Sequence, residues 1–296
     1  MGYEGWIIVT GILVGITCGI VGSFLILRQI AMLSDAISHT VLLGIVLAFL
    51  MSQSLNGFYM LMGAVVVGLL TAFLVQLLHQ VGIMQDAAIG VVFTTLFAIG
   101  VILLSMFVDN VHLDVEHALM GEITFVPWDT VNVPFLGEIP KAVILLGVVL
   151  FFDLLIIVLF YKEFKITSFD PNMAVAIGIP LMFIHYLLMG MVSITTVAAF
   201  DSVGSILVVA MLIAPGATAY LLTDKLSVLL SLSALIGALD AVLGYYVASY
   251  FDVSISGTMA SMAGFVFLLV WLFSPKYGLV SKKVSKRLFA SKSQMS

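Results

Sequence analysis

The chain alternates between long apolar runs and short polar breaks, and this pattern predicts its architecture. A helix needs about 20 residues to cross the hydrocarbon core of a bilayer. Runs of roughly this length recur from one end of the chain to the other. They predict nine membrane-spanning helices, at residues 6–27, 30–51, 58–78, 87–108, 141–160, 181–200, 203–222, 226–250 and 259–274.

The amino-acid composition also indicates a membrane protein. Of the 296 residues, 62% are hydrophobic and only 9% are charged, whereas a soluble domain carries roughly 25% charged residues. We therefore predict an all-α, polytopic integral membrane protein, with a membrane domain at 1–275 and a basic cytoplasmic tail at 276–296. A single cysteine, Cys18, excludes an internal disulfide or a thiolate metal cluster. The N-terminus lacks a basic n-region, so we expect the first span to be retained.

The basic residues predict the orientation. Lysine and arginine are enriched in cytoplasmic loops. An external N-terminus leaves Lys141, at the edge of a span, as the one basic residue outside. The other ten of the eleven then lie inside: Arg28, Lys162, Lys165, Lys225, Lys276, Lys282, Lys283, Lys286, Arg287 and Lys292. We expect a multi-pass protein with its N-terminus outside and its C-terminus in the cytoplasm, where the tail can also contact anionic lipid headgroups.

The external connection 109–140 has the opposite charge. It contains six acidic residues and neither lysine nor arginine: Asp109, Asp114, Glu116, Glu122, Asp129 and Glu138. An acidic mouth attracts cations, although the same pattern also follows from the orientation rule alone. Loops of this length are often functional or partly re-entrant.

The second predicted span contains an acid and an imidazole in an apolar setting. Asp35 and His39 stand four residues apart, so both side chains leave the same face of a helix. If the span begins near Ile30, His39 lies roughly 13 Å deep, close to the bilayer midplane. Oxygen and nitrogen donors that meet at one point suit a divalent transition metal. The spacing is equally consistent with a hydrogen bond between the two side chains or to a neighbouring helix.

Glu116 and His117 form a second acid–imidazole pair, in the external loop. Adjacent helical residues point about 100° apart, so both can face one ligand only at a helix end or a break. An exposed loop pair is the simpler interpretation of the spacing alone. Four further polar residues in or at the ends of spans are expected to make packing hydrogen bonds: Asp153, His185, Asp201 and Asp240. His79 and His112 are expected to be solvated at loop edges.

Sequence motifs give little support for enzyme chemistry. The chain lacks H-E-x-x-H and G-x-S-x-G, so a zinc protease or a serine hydrolase is without its core motif. It also lacks G-x-x-x-x-G-K-[ST], so it has no P-loop of its own for ATP. Nothing points to a nucleic-acid partner.

The inner loop 161–180 predicts a short cytoplasmic helix. Asp170 followed by Pro171 is an N-cap and first-turn pair, and Gly178 followed by Pro180 ends the helix. Its residues are small and apolar, so we expect this surface to be covered by a partner rather than left bare. A helix that lies on the bilayer surface is the alternative.

Three stretches in order carry a family resemblance. "LILRQIAMLSDAISHTVLLG" (25–44), "FDPNMAVAIGIP" (169–180) and "SVGSILVVAMLIAPGATAYLL" (202–222) resemble the permease subunits of bacterial ABC importers for manganese, zinc and iron. An arginine followed by S/G-D-x-x-x-H-x-x-x-x-G is specific to that family. Here the pattern is carried by Arg28, Asp35, His39 and Gly44. The resemblance covers roughly residues 6 to 275.

The resemblance implies an all-helical, cobalamin-permease-like type II importer fold in the bacterial cell membrane. It implies a dimer of permeases, which is either two copies or two related chains. A separate cytoplasmic ABC ATPase dimer and an extracellular metal-binding lipoprotein would complete the importer. The segment 168–180 would be the coupling helix, with Asp170, Pro171, Ala174 and Gly178 at the family's motif positions. In manganese-type members a Glu-His pair joins the acid and imidazole of the second span, and Glu116 and His117 match it.

We therefore expect a permease without catalytic or permanently bound cofactor chemistry. Its cargo would be a divalent metal, with Mn²⁺ favoured and Zn²⁺ and Fe²⁺ left open, held in a transient six-ligand site. Pro215 and Gly216 would let the seventh span bend during switching, unless they form an ordinary kink. A proton-coupled secondary transporter that uses Asp35 and His39 as proton carriers is the competing hypothesis.

Overall fold

A computed structural model describes residues 2–52, 57–107, 123–133 and 137–274 of the chain. Within these ranges, nine helices are long and apolar enough to cross a membrane, as the sequence predicts. The long helices are α1 (Tyr3–Leu27), α2 (Met32–Ser52), α3 (Gly57–Gln80), α4 (Gln85–Phe107), α5 (Lys141–Leu159), α8 (Leu181–Val203), α9 (Ser205–Leu222), α10 (Leu226–Phe251) and α11 (Ile255–Phe273). Two short helices, α6 (Tyr161–Phe169) and α7 (Pro171–Ala176), follow α5.

The predicted ends differ from the observed ones by a few residues. The largest consequence is for α2, which begins at Met32 rather than near Ile30. Residues 28–31 form a hydrogen-bonded turn instead. His39 is therefore roughly 10 Å along the helix from its start, and Asp35 belongs to the first turn.

A small substructure between α4 and α5 departs from the all-α pattern. A 3₁₀-helix (Ile123–Trp128) leads into an antiparallel hairpin of β1 (Thr130–Val133) and β2 (Gly137–Pro140), with Thr130 opposite Pro140. The Tyr3 hydroxyl donates a 2.7 Å hydrogen bond to the Thr124 carbonyl, which ties the substructure to α1. Sequence analysis did not predict this hairpin. Residues 108–122 and 134–136 lie outside the described residues.

Helix α1 forms the centre of the bundle, and glycines make this packing close. A Cβ on Gly15 would overlap the backbone of Gly237 in α10, and one on Gly22 would overlap the Leu212 carbonyl in α9. Small residues four apart let membrane helices approach backbone to backbone. Gly11, Gly15 and Gly19 have that spacing, so the sequence itself contains a signal for this close helix crossing.

The buried apolar side chains form two main clusters that share α1. One contains Phe24, Ile37 and Phe164 with parts of α2, α3, α4 and α8. The other contains Val14 and Met211 with parts of α9, α10, α11 and the 3₁₀-helix. Helices α5 and α11 keep most of their apolar surface exposed. In a membrane protein, such surface contacts lipid or another subunit.

Candidate functional site

Asp35 and His39 lie on the same face of α2, and both side chains are partly exposed. Most of the side chains around them, including Ser34, Ala36 and Ser38, are buried. The side chains of His39 and Asp35 retain 40% and 38% of their exposure. The helical period that the sequence predicts therefore places both side chains on the same face, and that face is not covered by the chain's own packing.

The two side chains are spaced for a shared ligand. His39 Nε2 lies 3.5 Å from Asp35 Oδ1, which is longer than an ordinary hydrogen bond between these groups. Two ligand atoms at about 2.1 Å from one ion, at a tetrahedral angle, are separated by about 3.4 Å. The pair can therefore supply one oxygen and one nitrogen to a divalent cation with little rearrangement.

Two phenylalanines from α4 hold the imidazole. The ring centroids of Phe93 and Phe97 each lie 5.8 Å from that of His39, one tilted and one edge-on. They restrict the orientation of the imidazole on one side and leave 40% of the side chain exposed. Asp35 faces the imidazole from one helical turn away.

Close contacts with α3 and α4 fix the position of α2. Gly44 meets the backbone of Gly63 in α3, with no room for a Cβ on either residue. Thr71 donates a 2.9 Å hydrogen bond to Thr40. On the other side, a Cβ on Gly100 of α4 would lie 3.1 Å from Leu43 Cα. The glycine of the sequence signature is thus a helix-crossing position next to the ionisable pair.

The second acid–imidazole pair, Glu116 and His117, lies outside the described residues, as do His112 and the acids between 109 and 122. Among the residues that the structure describes, no cluster of three or more metal-ligating side chains is found. The four-residue ligand set therefore remains a prediction.

The short helix expected from Asp170 and Pro171 is observed as α7. Asp170 Oδ1 accepts a 3.0 Å hydrogen bond from the Met173 amide, and Pro171 occupies the first turn. Gly178 ends the helix with a φ of 82°. This is the left-handed conformation that glycine adopts without strain.

Helix α7 packs against the rest of the chain through one side chain, and its other positions are exposed. Ala174 is the fully buried residue, so this motif position packs inward. Met173, Val175 and Ile177 are each more than half exposed. Unlike the membrane spans, this helix is too short to cross a bilayer, so its apolar face is available to a partner or to the membrane surface.

Pro215 and Gly216 lie inside α9, which remains helical through them. Both are buried. A Cβ on Gly216 would lie 3.1 Å from Ser23 Cα in α1. These residues therefore sit at the α1–α9 crossing, and their role as a hinge stays a prediction.

The other ionisable residues within spans differ in their partners. Thr195 donates a 2.7 Å hydrogen bond to Asp153, so this acid makes the packing contact that we expect. Asp240 is fully buried, and neither carboxylate oxygen has a hydrogen-bond partner among the described residues. His185 packs edge-on against Tyr186. Nothing is described of the Asp201 side chain.

The combination of fold and site defines a class of protein. Ionisable side chains left exposed within a membrane-length helix are candidates for a functional site. The chain belongs to the ABC 3 transport family, whose profile matches residues 4–274. It is thus a multi-pass permease subunit of an ABC transporter.

Individual relatives cover nearly the whole chain. The manganese transport system membrane protein MntD of Bacillus subtilis (strain 168) is 62% identical over 284 residues, which are 96% of each chain. The zinc transport system membrane protein TroD of Treponema pallidum (strain Nichols) is 44% identical over 93% of this chain and 75% of the relative. The structure of PsaBC from Streptococcus pneumoniae in complex with Fab is similar, with a TM-score of 0.78, 35% identity and 96% coverage of both chains.

Proposed function

We propose that this chain is the membrane permease of an ATP-driven importer for a divalent transition metal, with Mn²⁺ as its cargo. The main observation behind the proposal is the Asp35–His39 pair. Its two potential ligand atoms lie 3.5 Å apart on a partly exposed face of α2. A mixed carboxylate and imidazole set suits Mn²⁺, Fe²⁺ and Zn²⁺ better than a soft ion such as Cu⁺.

The relatives favour Mn²⁺ among these ions. A relative named for manganese transport shares 62% of its residues with this chain, against 44% for the one named for zinc. Affinity order alone would favour Zn²⁺ over Mn²⁺. Selection for Mn²⁺ must therefore come from coordination number and geometry. Glu116 and His117 are the residues that we propose complete the set.

The proposed importer needs three kinds of partner. A cytoplasmic ABC ATPase dimer would supply ATP hydrolysis, because this chain has no P-loop. A second permease subunit would cover the partly exposed face of α2 that contains Asp35 and His39. An extracellular lipoprotein would deliver the ion to the acidic external side. This arrangement requires the N-terminus outside and α7 in the cytoplasm, with its exposed apolar face against the ATPase.

Substitution of the pair tests the metal role. We expect Asp35→Asn and His39→Ala each to reduce uptake of ⁵⁴Mn²⁺ at least about tenfold, because even outer-shell partners of a metal ligand contribute that much. The permease would be expressed with its ATPase and binding protein in a host that lacks Mn²⁺ uptake. Asp86→Asn and His79→Ala are matched controls, since both residues are exposed and the His79 ring lies against the Ile83 carbonyl.

The same assay separates the competing hypotheses. Uptake in vesicles that lack the ATPase would contradict the ABC importer and favour the proton-coupled transporter. Uptake of ⁶⁵Zn²⁺ in preference to ⁵⁴Mn²⁺ at equal concentration would reassign the cargo. Uptake that survives both substitutions in α2 would remove the metal site from this helix.

A further inference from the structure

Arg28, at the cytoplasmic end of α1, is bonded to a distant part of the chain. Its Nη2 donates a 2.8 Å hydrogen bond to Thr167 Oγ1, and its Nε donates a 3.3 Å hydrogen bond to Ser168 Oγ. Both acceptors belong to α6, 139 and 140 positions further along the chain. Neither the ion path nor the exposed face of α7 contains these three residues.

We call the contact of Arg28 with Thr167 and Ser168 the joint. Buried side chains pack next to it. The rings of Phe24 and Phe164 stack beside it, with centroids 5.1 Å apart, and neither residue has exposed surface. Thr167 is also buried. Burial lowers the pKa of Arg28 to about 10, so the guanidinium stays charged at neutral pH. A partly buried charged group that donates to two hydroxyls gives strong and directional hydrogen bonds.

On one side, the joint continues into α2. Arg28 caps α1, and Gln29 follows in the left-handed conformation with a φ of 60°. The Ile30 amide donates to the Leu25 carbonyl and the Gln29 amide to the Ile26 carbonyl, which is a closed helix-terminating turn. The Leu33 and Ser34 amides then bond to the carbonyls of residues 30 and 31. No free linker separates Arg28 from the first turn of α2, which contains Asp35.

On the other side, the joint continues into α7. Ser168 is followed by Phe169 and then by Asp170, the N-cap of α7. The Asp170 amide donates a 2.8 Å hydrogen bond to the Ile166 carbonyl. The end of α6 and the start of α7 are therefore joined by backbone bonds, and a displacement of α7 acts on Thr167 and Ser168 directly.

We propose that Arg28 is a positioning residue that transmits movement between α7 and the metal-binding turn of α2. This inference rests on the proposed function, because it requires that α7 contacts the ATPase and that Asp35 and His39 bind the ion. In each transport cycle, displacement of α7 shifts α6. Arg28 carries this shift through the turn 29–31 to the base of α2.

Removal of the acceptors tests the inference while the arginine remains. The first variant is Thr167→Val combined with Ser168→Ala, which removes both hydroxyls with little change in volume. The second is Arg28→Gln, and the third is Arg28→Lys, whose ammonium can still donate to one hydroxyl. Lys225→Gln is the control, because this exposed cation is the N-cap residue of α10 at the same end of the bundle and is not one of the three residues that form the contact.

Three measurements on the assembled importer are compared: ⁵⁴Mn²⁺ binding to the permease, basal ATP hydrolysis, and the stimulation of hydrolysis by Mn²⁺-loaded binding protein. We expect the double variant and Arg28→Gln to keep Mn²⁺ binding within about twofold and to keep basal hydrolysis. Stimulation and uptake should fall at least about tenfold, because each variant disrupts two charge-assisted hydrogen bonds and the loss of one such bond changes an equilibrium about tenfold. Arg28→Lys should be intermediate, and Lys225→Gln should match the unaltered protein.

Two results would overturn the inference. Normal stimulation in the double variant would show that the joint transmits nothing. A parallel loss of binding, basal hydrolysis and thermal stability would assign Arg28 to folding instead. If the unaltered assembly itself takes up no Mn²⁺, the proposed function fails first. That outcome is distinct from a working importer whose Arg28 variants couple normally.

Discussion

Gly44 of α2 and Gly63 of α3 meet backbone to backbone, so that neither position can hold a side chain. The crossing lies just beyond His39, and it fixes the helix that carries the ionisable pair. Thr40 and Thr71 add a hydrogen bond one turn earlier. The position of the candidate metal ligands therefore depends on residues outside the ionisable pair.

Gly44→Ala tests this dependence. Its Cβ would lie 2.5 Å from the Gly63 carbonyl oxygen, and overpacking of this kind typically costs about 1–3 kcal/mol. We expect a lower melting temperature in detergent and reduced Mn²⁺ uptake. Gly90→Ala in α4 is the matched control, because open space surrounds that position. Equal stability of the two variants would contradict the tight crossing.

The hydrogen bond between Thr195 and Asp153 gives a second prediction. Thr195→Val leaves a buried carboxylate without its donor, which typically costs about 1–3 kcal/mol. Thr196 is buried beside it, and its hydroxyl has no partner among the described residues. Thr196→Val should therefore be neutral or stabilising. Thermal unfolding of the purified permease measures both, and a larger loss in Thr196→Val would refute the assignment of partners.

Substitution of Asp240 is expected to preserve or raise the thermal stability rather than lower it. Its carboxylate is buried and lacks a protein partner in the described part of the chain, so its desolvation is uncompensated. Asp240→Asn has nearly the same shape and removes the charge. We expect unchanged or higher thermal stability and normal uptake. A marked loss of stability would show instead that the carboxylate holds a cation or a proton that the fold requires.

The exposed face of α7 predicts where the ATPase binds. A charge placed in an apolar contact resists burial, so Met173→Asp and Val175→Asp should prevent co-purification of the ATPase with the permease. Both side chains are more than half exposed, and we expect these variants to remain folded. Val81→Asp is the control, since alternation of the spans places this exposed residue on the same side. Retained co-purification in the α7 variants would assign this face to the membrane surface.

The sequence by itself determined the features that depend on neighbours within a turn or a span. Apolar runs of membrane length located nine helices, and the helical period placed Asp35 and His39 on one face. The adjacent Asp170 and Pro171 located the start of α7. Each of these signals is local, because membrane insertion, helical phase and capping act over a few residues to about twenty.

Only the tertiary structure decided which segments meet. It placed Phe93 and Phe97 against His39, crossed Gly15 over Gly237, and joined Arg28 to α6. It also formed the hairpin between α4 and α5, and it left the Asp240 carboxylate without a hydrogen-bond partner among the described residues. These contacts join residues that are distant in the chain, and they depend on how whole helices pack. A local pattern can mark a glycine or an arginine as unusual, but packing alone selects its neighbour.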